Sequence, residues 1–155
     1  MDEVPWDRIV HFYGRASNIP KAVRQLNSKK HAKAAGDLLA AQLEHQDGVI
    51  QATPFAVRFM VRALACERVV DKAHVWWILR RIQCAASFTT SSHSQNVPKA
   101  IADWRRLLQV RRLWPEFKNK REDEILWEEW DPPEEEWLGW AVLTLREIAK
   151  TDSLV

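Results

Sequence analysis

Asn18-Ile19-Pro20-Lys21-Ala22-Val23 returns as Ala52-Thr53-Pro54-Phe55-Ala56-Val57 and again as Asn96-Val97-Pro98-Lys99-Ala100-Ile101. Each copy holds a proline, then any residue, then alanine and a β-branched residue, and the prolines stand 34 and 44 residues apart. Proline suits the first turn of a helix, where its missing N–H would be unpaired anyway. Self-similarity at such a period predicts a stack of helical hairpins, none able to bury its apolar face alone. The expected fold is all-α: one domain over residues 1–155, with about seven or eight helices. Such stacks usually work as binding surfaces.

A first short helix is expected to carry Trp6, Ile9, Val10 and Phe12 or Tyr13, ended by Gly14. Asn18 caps the next, which buries Ala22, Val23 and Leu26. A long helix from Lys30 to about Glu44 buries Ala32, Ala35, Leu38, Leu39 and Leu43. The loop His45–Ala52 leads into the Thr53-Pro54 helix, which ends near Ala65 with Val57, Met60, Val61 and Leu64 inside. Asp71 opens another helix, whose broad apolar face holds Val75, Trp76, Ile78, Leu79, Ile82 and Ala86. The Ser-rich stretch Thr89–Asn96 reads as an exposed loop. Pro98 restarts a helix that Pro115 ends, and Asp131-Pro132-Pro133 precedes a last one bearing Trp137, Trp140, Ala141, Thr144, Leu145 and Ile148. No segment shows the alternation of a half-buried strand.

The composition, 46% hydrophobic and 28% charged, is that of an ordinary soluble globular chain. Nine tryptophans against one tyrosine are unusual, and tryptophan serves both cores and binding hot spots. Most are expected inside, with two or three at an interface. Cys66 and Cys84 lie in apolar helical stretches and are expected to be buried free thiols. The acidic opening lacks the apolar region of a secretory signal and no apolar run reaches membrane-spanning length, so neither is expected and a cytoplasmic location is. Charge is unevenly placed: residues 58–112 balance at +8 and residues 116–137 at −7. Opposed patches of this kind steer different partners.

The run His45-Gln46-Asp47-Gly48-Val49-Ile50-Gln51-Ala52-Thr53-Pro54-Phe55-Ala56-Val57 resembles a segment common in bacterial HEAT-repeat proteins. Tyr13-Gly14-Arg15-Ala16-Ser17-Asn18-Ile19-Pro20 looks like that family's opening, and Trp76-Trp77-Ile78-Leu79 is similar to its following helix. The resemblance spans roughly residues 6–85, and the acidic, Trp-rich part 116–155 departs from it. It implies a HEAT-like stack and a stand-alone partner-binding protein. Some members resemble immunity proteins encoded beside secreted toxins.

The segment with most functional content is acidic and aromatic: Glu122, Asp123, Glu124, Trp127, Glu128, Glu129, Trp130, Asp131, Glu134, Glu135 and Glu136. As a partner-binding site it joins aromatic anchors (Trp127, Trp130) to electrostatic steering, as a tight protein inhibitor does. The expected function is an immunity protein that occludes the active site of a cognate toxin with a basic groove, as a monomer entering a heterodimer. The alternatives are a DNA-binding or base-excision protein using Arg80-Arg81, Arg105-Arg106 and Arg111-Arg112, or a non-enzymatic scaffold subunit. Nucleic acid is the less favoured partner, since the acidic segment repels it. His11, His31, His45, His74 and His93 show no metal-ligand spacing, and no nucleophile or Gly-rich phosphate loop is recognisable. No catalytic residue, cofactor or metal is expected.

Overall fold

A computed structural model gives the fold and describes residues 1–92, 113 and 129–154. The chain opens on turns that seat the buried Trp6, whose indole N–H donates to the Met1 carbonyl. A small antiparallel hairpin follows, β1 (Val10–His11) with β2 (Gly14–Arg15), pairing Val10 with Arg15 and His11 with Gly14. A 3-10 turn at Ala16–Asn18 leads into α1 (Ile19–Gln25) and then α2 (Ala32–Leu43). A second hairpin, β3 (Glu44–His45) with β4 (Gly48–Val49), precedes α3 (Thr53–Ala65) and the long α4 (Lys72–Ser92). After the undescribed stretch come α5 (Glu134–Ala149) and a 3-10 end at Lys150–Leu154.

The described residues therefore hold five α-helices and two small antiparallel sheets, not a HEAT-like stack of seven or eight helices. The repeat has a different unit from the one expected. Both described copies are a tight hairpin leading, a few residues on, into a helix with proline in its first turn. His11 and Gly14 stand 34 residues before His45 and Gly48, as Pro20 does before Pro54. The expected first helix and the His45–Ala52 loop are thus hairpins. Strands of two residues are too short to show a period of two, so the alternation test is blind to them. The third copy, the Pro98 helix and residues 116–128 lie outside the described residues.

Each turn has its own backbone solution. Gln46 and Asp47 both adopt positive φ, 49° and 59°, the two-residue I′ geometry that matches strand twist. In the first hairpin the positive φ, 123°, falls on Gly14, where a side chain would be strained. Thr53 locks the base of the second hairpin: its hydroxyl donates to the Leu43 carbonyl at 2.6 Å and accepts from the Ile50 N–H at 3.0 Å.

The helices form for legible reasons. Asp71 caps α4 by accepting from the His74 N–H at 2.9 Å. Val57, Met60, Val61 and Leu64 on α3 and Val75, Ile78, Leu79, Ile82 and Ala86 on α4 are buried as their spacing predicts. The expected Thr89–Asn96 loop starts too early, because α4 continues to Ser92. There Thr89, Thr90 and Ser91 donate hydroxyls back to the carbonyls of Ala85 and Ser87 one turn earlier, satisfying side chains within the helix. One core joins Trp6, Ile9 and Val10 to all five helices, with α5 packed on both α3 and α4 through Trp140, Ala141, Leu143 and Ile148. The cysteines are not inside: Cys66 follows the end of α3, Cys84 sits on the outer side of α4, and both are exposed free thiols.

Candidate functional site

With Val75, Ile78, Leu79, Ile82 and Ala86 turned to the core, α4 must show its other residues to solvent. A stripe at helical spacing results: Trp77, Arg81, Cys84 and Phe88, with Trp76 and Arg80 beside it. Trp77 is 48% and Phe88 58% exposed, unusual for such large apolar groups. Trp76, expected on the apolar face, is also on the outside. The two hairpins bring further groups to this face. Tyr13, at the tip of the first, is 61% exposed and meets the His45 ring edge-on at 6.0 Å. Phe12 lies 5.6 Å from the same His45, so the two hairpins touch through their aromatic rings.

Between α4, α2 and the hairpins runs a groove in two parts. One holds about 380 Å³ between Tyr13, Asp37, His45, Trp77 and Arg81. The other holds about 310 Å³ between Asp47, Trp77, Arg80, Arg81 and Cys84. Glu44, Trp77 and Arg81 belong to both. Each volume is in the range of small binding pockets.

Side-chain contacts tie the middle of the groove together. Glu44, buried at the start of β3, accepts a hydrogen bond from the Arg81 guanidinium and forms an ion pair with it. Arg81 also lies over the Trp77 ring, 5.1 Å from its centroid. On the other side of Trp77 along the helix, the His74 ring stacks at 5.5 Å and 11°. His74 Nε2 is 3.3 Å from Asp37, whose carboxylate accepts from Lys33 at 3.0 Å. That Lys33 hydrogen bond is the main reason the Asp37 carboxyl is held below the ordinary range. Arg80 makes no ion pair among the described residues and is exposed at the groove's edge.

Of the residues expected to contact a partner, Glu122, Asp123, Glu124, Trp127 and Glu128 lie outside the described residues. Glu129, Asp131, Glu134 and Glu135 are exposed, and Glu136 is half-buried. Trp130, named as an anchor, is half-buried and packs at 6.3 Å from Trp137 and 6.0 Å from Trp140. Trp137 in turn stacks on Phe12 at 6.4 Å. Asp131 and Glu134 line a third hollow of about 520 Å³ with Pro132, Trp137, Thr89 and Gly48. The β3–β4 hairpin is thus a wall between an acidic hollow and the Trp77–Arg81 groove.

Tyr13, Glu44, His45, Trp77 and Arg81 were not among the expected site residues. A helical wheel of α4 was enough to find Trp77 and Arg81, since both stand opposite the Ile78–Ile82 face. Nothing in the sequence joins Glu44 to Arg81, 37 residues later. Among the described residues no three His, Cys, Asp or Glu side chains gather as a metal site requires. No helix among them is long and apolar enough to cross a membrane. Compared with known proteins, the chain matches no family model, no curated protein and no solved structure.

Proposed function

We propose that this chain acts by binding a protein partner across the β3–β4 hairpin, without catalysis of its own. The observation that carries this reading is the exposed cluster of Trp77, Arg81 and Tyr13 around a preformed groove. Tryptophan, tyrosine and arginine are the types that dominate binding hot spots, and the Glu44 and His74 contacts hold Trp77 and Arg81 in place beforehand. A partner seated on the hairpin meets aromatic rings on one side and the carboxylates of Asp131 and Glu134 on the other. The acidic side steers a basic partner and the aromatic side retains it. The specific form we favour is an immunity protein that covers the active site of a cognate toxin.

The test is association with the protein encoded by the adjacent gene, followed by calorimetry. Trp77→Ala and Tyr13→Ala are expected to weaken binding by about thirtyfold each, the lower bound of a hot spot. Asp131→Lys with Glu134→Lys is expected to slow association at low salt. Unchanged affinity in Trp77→Ala removes this surface from the interface. Steeply salt-dependent binding to duplex DNA, with no protein partner, transfers the reading to nucleic acid.

A further inference from the structure

A separate cavity of about 350 Å³ opens where the end of α1 meets the end of α3. It shares no lining residue with the groove. Its floor is apolar: Val23 is buried, and Phe59 and Ala63 are half-buried against the core. Its lining includes three arginines, Arg24, Arg62 and Arg68, and no carboxylate. The Arg62 guanidinium is placed 5.7 Å from the Phe59 ring centroid, next to the apolar floor.

The charge here lacks a strong counter-charge. Arg62 and Arg68 make no ion pair among the described residues. Glu67, the neighbour of Arg68, is already engaged by Lys72 at 3.2 Å. Arg24 reaches Asp2 at 3.5 Å, but with side chains 59% and 96% exposed that pair is weak. Three guanidinium groups lining a concave apolar surface match a ligand with one anionic end and an apolar body. The planar guanidinium fork fits a carboxylate with two parallel hydrogen bonds.

We propose that this cavity binds a small organic carboxylate with an apolar tail, held by Arg62 and Arg68 and seated on Phe59 and Ala63. The inference stands apart from the partner-binding reading, since neither the residues nor the ligand class is shared.

Calorimetric titration of the full chain with decanoate tests it. Saturable binding at one site is expected, weakened about tenfold or more in Arg62→Gln with Arg68→Gln, as loss of charged hydrogen bonds implies. Decanol, with the same tail and no charge, is expected to bind far more weakly, and inorganic phosphate, with no tail, not to compete. Both substitutions are at exposed side chains, and circular dichroism checks that the variant keeps its fold. The proposal is overturned by absent decanoate binding, by equal binding of the double variant or of decanol, or by full competition from phosphate.

Discussion

Arg81 is held by two different groups at once: its guanidinium pairs with the buried Glu44 carboxylate and covers the face of Trp77 at 5.1 Å. A strand that starts the second hairpin is thereby tied to the middle of α4, through the residue that shapes the groove.

Removing Arg81 leaves the buried Glu44 carboxyl without its side-chain partner. Arg81→Ala is expected to destabilise the fold by about 1–3 kcal/mol, the cost of an unsatisfied buried group. Arg81→Lys restores the charge but not the flat stacking on Trp77, so it recovers only part of the loss. Urea unfolding of the three proteins measures both, and equal stability of Arg81→Ala and the parent refutes the prediction.

Gly36 on α2 is there because His74 needs the space. A Cβ at this position would lie 2.4 Å from His74 Cδ2 and 2.5 Å from Nε2. Gly36→Ala alone gains about 1 kcal/mol of helix propensity but forces the ring out of place, an overpacking cost of about 1–3 kcal/mol. The net effect is expected to be destabilising, with loss of the His74–Trp77 stack. In a His74→Ala background only the 3.2 Å approach to the terminal methyl of Ile78 is left, which a shift of a few tenths of an ångström relieves, so the same substitution is expected to stabilise. A thermal-unfolding double-mutant cycle decides, and the sign change is the signature.

His11 couples stability to pH. It is buried, its Nδ1 accepts from the Tyr13 N–H at 3.0 Å, and burial holds its pKa below the ordinary 6.5. Between the two pKa values the unfolded chain binds the proton and the folded one does not. The contribution is therefore complete above about pH 6.5 and is lost as pH falls through the folded value. Protonation also puts an N–H on Nδ1 opposite the Tyr13 N–H, so the first hairpin tip should loosen first. An NMR titration is expected to show a depressed His11 midpoint and shifts at Tyr13. An ordinary midpoint contradicts this, as does stability that rises on acidification in His11-dependent fashion.

The parts of the fold that could be read in the sequence are those set by one helix at a time. Pro54 and the Val57–Leu64 spacing located α3 to within a residue, its cap being Ala52 where Thr53 is expected, and Asp71 located the start of α4. What escaped depends on pairing or on competition between similar patterns. Val10-His11 sits in an apolar run that suits a helix as well as a strand, and Gln46-Asp47 lacks the glycine or asparagine that usually marks an I′ turn. Ser and Thr at the end of α4 spend their hydroxyls inside the helix instead of breaking it. The repeat itself was visible, but its unit was misread, because two-residue strands leave no pattern. At the groove, Trp77 and Arg81 were recoverable from the wheel of α4, whereas Glu44, His45 and Tyr13 arrive through hairpin geometry that periodicity does not encode.

The Thr53 hydroxyl grips Leu43 on one side and Ile50 on the other. Ile19 occupies the matching place in the first copy and has no such group. The second hairpin is consequently fastened at its base by a side chain that the first one lacks. Gln46 and Asp47 stand exposed above that anchored base, and their positive φ limits what can replace them to residues that tolerate the left-handed turn, asparagine and glycine first.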